Sequence, residues 1–130
     1  MTIDHIGLVS TNAEIGELLE LLGYRLAEEG ESHGSTCKFY QSETGPGIEV
    51  VQPQDNDSLF RFTEKSPTAL HHLAYRVDSL NQEIKRWQAK GYQAVTSDPQ
   101  PGAKPGMRVI FLRPKRTEKM LIELVTYAQD

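Results

Sequence analysis

The sequence predicts an α+β fold: two tandem βαβββ modules forming a curved, mostly antiparallel sheet with helices on its outer face. Three observations carry the prediction. The chain repeats a strand–helix pattern, each copy opens on a strand containing histidine, and each copy closes on a strand containing Ile-Glu. The offsets between equivalent residues are 67 from His5 to His72, 68 from Gly23 to Gly91 and 74 from Glu49 to Glu123. A period of that length is too long for a solenoid unit and suits two paired modules.

The first strand is IDHIGLVS at 3–10, and its counterpart is LHHLAYRV at 70–77. After each comes a polar break and then apolar residues at helical spacing: Ile15, Leu18, Leu19 and Leu22 in one, Leu80, Ile84 and Trp87 in the other. Thr11 or Asn12, and Asp78 or Ser79, can cap those helices because their side chains accept bonds from orphan helix amides. Both helices end at Gly-Tyr, in LLGYRLAEE at 21–29 and AKGYQAVTS at 89–97. Glycine there adopts the left-handed cap conformation at little steric cost. Further strands are predicted around 35–41 and 107–113, and the closing strands are GIEVVQP at 47–53 and LIELVTY at 121–127. The extra residues of the second copy fall in turn material between Pro99 and Gly106, where insertions are tolerated. The expected organisation is a single domain over 1–130. Its first module spans about 1–53, a polar linker with one helical turn near Leu59–Phe62 spans 54–69, and the second module spans about 70–130.

Composition narrows the function classes. The 130 residues are 38% apolar and 25% charged with a net charge of −4, which gives no electrostatic reason to expect nucleic acid or an anionic membrane. Basic residues gather late, at Lys104, Arg108, Arg113, Lys115, Arg116 and Lys119, as a solvated rim or a docking surface for an anionic substrate. The single cysteine, Cys37, excludes an intrachain disulfide and fits a reducing compartment. With no apolar leader and no run long enough to span a membrane, a cytoplasmic protein is expected.

Strand alternation then sorts the chemistry-bearing residues by face. His5 shares its face with Gly7, and His72 shares its face with Ala74. Glu49 and Glu123 oppose the apolar Ile48, Val50, Ile122 and Leu124. Alternation also sends His71 to the helix-packed face, as a structural or partly exposed residue. A lone strand histidine is usually a hydrogen-bonded core residue, and a lone strand glutamate usually faces water. Here both types recur at equivalent places in the two copies. Two carboxylates in a partly dry cleft each cost several kcal/mol or take up a proton unless neutralised. Lys38 and Arg108 could approach them only from other strands. A divalent cation resolves the conflict. Two imidazoles and two carboxylates suit Zn, Co, Ni, Mn or Fe, and six-coordination would leave two cis positions for water or substrate. His5, Glu49, His72 and Glu123 are therefore the candidate ligands.

Paired βαβββ modules with His in each first strand and Glu in each last strand resemble the vicinal oxygen chelate superfamily. Within it, ALHHLAYRVDSL at 69–80, the Pro-Gly-rich loop at 99–106 and RVIFLRPKRTEKMLIELVTY at 108–127 are similar to the methylmalonyl-CoA epimerases. The resemblance covers nearly the whole chain and is strongest from about residue 69 onward. It implies an enzyme that abstracts a proton alpha to a thioester carbonyl through a metal-stabilised enediolate. It also implies one divalent ion (Co, Ni, Zn or Mn), an acyl-CoA or other thioester substrate, and a homodimer. Glu123 matches the family's ligand glutamate implicated in proton transfer, and Glu49 is a second candidate base. Two departures stand out. The epimerases carry glutamine where this chain has Glu49, so the set is His-Glu-His-Glu as in glyoxalase I. They also place a glutamate on the middle strand of the first module, where Gly34-Ser-Thr-Cys-Lys-Phe-Tyr40 sets Cys37. The alternatives are a lactoylglutathione lyase of the glyoxalase I type and a metal-free small-molecule binding protein like the bleomycin-resistance branch. Against the first, the helix TNAEIGELLELLGY lacks the aromatic pair usual before Leu-Gly. His33 is expected in a polar turn, and Trp87 and Tyr75 in the core.

Overall fold

The computed structural model describes residues 2–113 and 120–128. Lys115, Arg116 and Lys119 of the late basic stretch lie outside them. The first half runs β1 (Thr2–Ser10), α1 (Ile15–Leu21), β2 (Arg25–Ser32), β3 (Ser35–Gln41) and β4 (Gly47–Pro53). A short helix α2 (Asp57–Phe60) and a 3₁₀ turn (Arg61–Thr63) occupy the expected linker. The second half runs β5 (Thr68–Arg76), α3 (Leu80–Ala89), β6 (Gln93–Ala94), β7 (Gln100–Pro101), β8 (Met107–Arg113) and β9 (Leu121–Tyr127).

All strands join one open, curved sheet in the order β2-β3-β4-β1-β5-β9-β8-β6, with β7 also paired to β8. The two first strands, β1 and β5, meet antiparallel at the centre, and each runs parallel to the closing strand of its own half. The remaining ladders are antiparallel. This arrangement brings the four strands that carry the candidate ligands side by side.

The helices cover one face. Ile15 and Leu19 of α1 pack on Tyr40 and Val50, and Leu80 of α3 packs with Val77, Ile110, Leu112 and Leu124, joined by Trp87 and Tyr75. Burying a Leu or Ile side chain fully is worth about 1.5–3 kcal/mol, so these patches hold the helices down. The opposite, concave face carries its own apolar lining, with Val9, Cys37, Phe39, Val51 and Leu59 in one half and Ala74, Met107, Val109 and Val125 in the other. Both helices end in the same Schellman motif. Tyr24 N–H bonds the Leu19 carbonyl and Gly23 N–H the Glu20 carbonyl, and Tyr92 and Gly91 do likewise to Trp87 and Gln88. Gly23 and Gly91 supply the positive φ, +96° and +93°, that the motif requires.

The halves differ at their outer strands. The first has an eight-residue edge strand in β2. The second has only the stubs β6 and β7 flanking Asp98-Pro99, because prolines at 99 and 101 cannot donate to a continuous ladder.

Candidate metal centre

β1 and β5 cross antiparallel with His5 opposite Ala74 and His72 opposite Gly7. Each imidazole therefore lies over a small residue of the other strand. The fit at Gly7 is the tighter one, since a Cβ there would overlap the His72 ring. β4 and β9 flank this pair and contribute Glu49 and Glu123 from the same face.

The structure brings all four predicted ligands together, each buried. His5 Nε2 lies 3.1 Å from His72 Nε2. Glu49 Oε1 is 3.2 Å from His5 Nε2 and 3.1 Å from His72 Nε2, and Glu123 Oε1 is 3.0 and 3.3 Å from the same atoms. Those spacings lie between the edges of an octahedron and a tetrahedron around a cation with ligand bonds of about 2.1 Å. Despite its proximity to both rings, Glu123 Oε1 accepts no hydrogen bond of acceptable geometry and is sealed from solvent. Two buried carboxylates and two Nε2 atoms aimed at one point, one carboxylate oxygen orphaned, fit a divalent cation better than a set of mutual hydrogen bonds. When bound, such an ion supplies positive charge that polarises a coordinated carbonyl and acidifies the neighbouring C–H.

Without the ion, the electrostatics are those of a compressed charge cluster. Burial would push the His5 imidazolium down, but its bond to Asp4 and the adjacent Glu123 and Glu49 carboxylates prevail and hold it up at about 11. His72 follows the same balance, burial against Glu123 and Glu49, and is raised to about 9. Burial works against the charge on Glu49 and Glu123 too, and the facing imidazoles still keep both below the usual carboxylate range.

Glu49, His72 and Glu123 of the cluster line a cavity of about 850 Å³ on the concave face, while His5 is not among its lining residues. Phe39, Phe62, Val109 and Phe111 also line the cavity, and Arg61, Arg113, Asn56 and Thr96 stand among its polar residues. Cys37 also faces it, with its thiol pushed up to about 12, first by burial and then by the nearby Glu49 charge. No glutamate or aspartate occupies β3. Neither cation considered as a neutralising neighbour serves the cluster. Lys38 alternates with Cys37 and Phe39 onto the other face of β3, and Arg108 is exposed and donates to the Pro99 carbonyl. His33 sits in its turn with φ +51° and contributes to the cavity lining.

One expectation fails. His71 does not sit on the helix-packed face. A β-bulge between Gly7 and Leu8 leaves His71 as the extra residue of β5, so the simple alternation breaks there. Its ring turns into the cavity between Phe62 and Phe111, and its Nδ1 lies 2.6 Å from His72 Nδ1. Burial and the neighbouring His72 depress it to about 4, so it stays neutral. Asp4 and Tyr127 were likewise invisible as site residues. Asp4 Oδ2 lies 2.7 Å from His5 Nδ1, and the Tyr127 hydroxyl donates to both Asp4 oxygens at 3.3 and 3.1 Å. The adjacency of Asp4-His5 and His71-His72 was the only available signal, and alternation argued against reading it.

A two-module open sheet with four buried His and Glu side chains converging at its seam is the class of protein defined by this fold and site. Residues 4–111 match the family described as the Glyoxalase/Bleomycin resistance protein/Dioxygenase superfamily, and the chain belongs to it. Among curated proteins it is similar to the uncharacterized protein YqjC of Bacillus subtilis, with 26% identity over 127 residues, 94% of this chain and 89% of that one. Among solved structures it is similar to methylmalonyl-CoA epimerase from Mycobacterium tuberculosis, with a TM-score of 0.86, 24% identity, and 98% of this chain and 89% of that chain covered. It is also similar to a variant of the Streptomyces coelicolor methylmalonyl-CoA epimerase in complex with 2-nitronate-propionyl-CoA, with a TM-score of 0.83, 23% identity, and 99% of both chains covered. At those identities the likeness speaks for the fold.

Proposed function

We propose that this protein is a metal-dependent enzyme that removes a proton alpha to a thioester carbonyl, most specifically an acyl-CoA epimerase. The observation that carries the reading is the convergence of His5 Nε2, His72 Nε2, Glu49 Oε1 and Glu123 Oε1 within 4.8 Å of one another, with Glu49, His72 and Glu123 lining the cavity. Glu123 Oε1, buried beside both rings without a hydrogen bond of its own, is poorly satisfied unless a divalent ion sits there. His5, His72, Glu49 and Glu123 would hold Co, Ni, Zn or Mn.

In this reading Glu123 is the proton-transfer group. Its carboxylate is buried, ionised and beside the cavity, and general-base catalysis by a group so placed contributes about 10²–10⁴-fold. Glu49 occupies the symmetric position and is the second candidate. The apolar walls at Phe39, Phe62 and Phe111 exclude water from the reacting carbon, and Arg61 and Arg113 suit the anionic part of a CoA ester. A homodimer in the cytoplasm accords with the family resemblance and the single reduced cysteine.

A second reading has one observation in its favour. Epimerisation needs acid–base groups on both faces of the carbon, and the middle strand offers only the Cys37 thiol, held at about 12. A glyoxalase I-like isomerisation of a hemithioacetal can move one proton between adjacent carbons with one base, so it tolerates that gap.

The deciding experiment incubates Co²⁺-loaded protein with methylmalonyl-CoA in D₂O and follows the substrate's α-proton signal, alongside Glu123→Gln and Glu49→Gln. Wild type is expected to wash out the signal. Glu123→Gln loses at least about 100-fold, while Glu49→Gln retains most of the rate. A persistent signal in a metal-loaded wild type sinks the epimerase and moves the hemithioacetal isomerase forward. Failure of wild type to bind metal at all favours a small-molecule binding protein.

A further inference from the structure

The two ligand histidines share an unusual feature of backbone geometry. A residue directly preceding a strand residue normally points to the opposite face. Yet Asp4 bonds the His5 ring and His71 bonds the His72 ring, each through Nδ1, at 2.7 and 2.6 Å. The register explains how. β1 and β5 pair Ile3 with Tyr75 and then His5 with Ala74, skipping Asp4; they pair Gly7 with His72 and then Leu8 with Leu70, skipping His71. Each first strand thus has one extra residue, and in both halves it is the residue just before the ligand. A bulge kinks the strand and re-aims a side chain, and here it does so twice at equivalent places.

We propose that Asp4, braced by Tyr127, and His71 are positioning residues that fix the ring orientation and tautomer of the two metal-ligating histidines. The inference rests on the metal-centre reading above. Because each Nε2 points at the cluster, each ring proton belongs on Nδ1. His5 Nδ1–H then donates to Asp4 Oδ2, and His72 Nδ1–H donates to the bare Nδ1 of His71. A fixed outer partner holds the ring plane and raises its basicity as a ligand, and losing one typically costs about 10- to 100-fold in metal affinity.

The two partners are chemically unequal. Asp4 is a carboxylate, itself held by two contacts from the Tyr127 hydroxyl, while His71 is a neutral ring wedged against Phe62 and Phe111. An anionic acceptor pulls the N–H proton harder and makes its ring the stronger donor. His5 is therefore the stronger of the two imidazole ligands, and Asp4 carries more of the metal affinity than His71.

The test uses the full chain with Co²⁺, which shifts the exchangeable N–H protons of coordinated imidazoles far downfield. Affinity is read by competition with a chromophoric chelator, and the N–H resonances by proton NMR. Wild type is expected to show two slowly exchanging N–H signals. Asp4→Ala loses one of them and about 10- to 100-fold in affinity, whereas Asp4→Asn, which still accepts the bond without the charge, keeps the signal and falls between. His71→Ala loses the other signal with a smaller drop in affinity, and Tyr127→Phe weakens binding several-fold with both signals kept. The thermal midpoints of the metal-free variants are measured beside these. A purely structural role would lower stability and leave the resonances alone. Asp4→Asn and His71→Ala proteins that bind Co²⁺ within about twofold of wild type, with both signals intact, would overturn the inference. A wild type that binds no Co²⁺ overturns the metal centre itself, and this inference with it.

Discussion

The two halves of the sheet agree where they touch and diverge where they do not. At the seam, β1 and β5 cross, each ligand histidine lies over a small residue of the other strand, and each closing strand delivers a glutamate. At the rims the first half keeps a complete edge strand, and the second breaks it into two-residue stubs. The lesson is that a site built at a twofold seam constrains only its central strands. Loops and edges are free to change because they carry no ligand.

Even at the seam the symmetry is imperfect, and that difference can be tested hard. His5 lies opposite Ala74, which already carries a Cβ, whereas His72 lies so close to Gly7 that a Cβ there would overlap the ring. Gly7→Ala must therefore push His72 out of line or part the strands. It is expected to cost at least about 1–3 kcal/mol, as overpacking in a dense core does, and to abolish metal binding. Ala74→Gly removes the methyl group beneath His5 without forcing either imidazole aside and should bind metal like wild type. Thermal denaturation with and without Co²⁺ checks both. Equal metal binding by the two variants would mean the seam is looser than its packing indicates.

Much of this seam was legible in the sequence. The repeat of His-Ile-Gly and His-Leu-Ala, the paired Gly-Tyr helix ends and the paired Ile-Glu strands located β1, β5, the C-terminal ends of both long helices and the four residues that cluster at the seam. The strands at 35–41 and 107–113 were placed by the same pattern. Period-two alternation fails wherever one residue is added, and nothing in the side chains of Asp4 or His71 announces a bulge. So the clustering of the four candidate ligands was readable and the residues behind them were not. The start of α1 was also blurred. The helix begins at Ile15, beyond both expected caps, Thr11 and Asn12, because Asn12 forms a local turn by accepting from the Glu14 amide at 2.9 Å.

The imidazoles of the two halves also differ in how tightly they hold a proton, His5 to about 11 and His72 to about 9 in the metal-free protein. Each must lose that proton before Nε2 can bind a cation, so affinity must rise with pH. The rise should be roughly 100-fold per pH unit below 9 and roughly tenfold per unit between 9 and 11. Stability of the metal-free protein runs the other way. Both histidines are raised from 6.5, so their contribution is complete below 6.5 and is lost as pH climbs through 9 and 11. The glutamates are lowered from 4.5, so theirs is complete above 4.5 and lost in acid. The metal-free protein should be most stable near pH 6.5, where it binds metal poorly, because the neutral His71, depressed to about 4, makes the fold less stable as pH falls below 6.5. Calorimetric titration in buffers of different ionisation heat reads the released protons, close to two per ion at pH 7. Release of none would mean that the rings are already neutral and that the halves do not differ in this respect.

The smallest expected contrast lies at the helix starts, far from the ligands. In the second half Ser79 caps α3, its hydroxyl accepting from the Gln82 amide at 3.3 Å. In the first half α1 has no side-chain cap at its N-cap residue, Glu14, and Asn12 acts two residues earlier. Removing a capping hydroxyl typically costs about 1 kcal/mol, so Ser79→Ala should lower the thermal midpoint by a few degrees. Asn12→Ala removes a turn bond outside the helix and should cost less. Because neither residue touches the four ligands, both variants should bind Co²⁺ as wild type does. A Ser79→Ala protein with altered metal affinity would mean that α3 transmits strain through Val77 into β5, and that the rims are less free of the seam than their sequence divergence suggests.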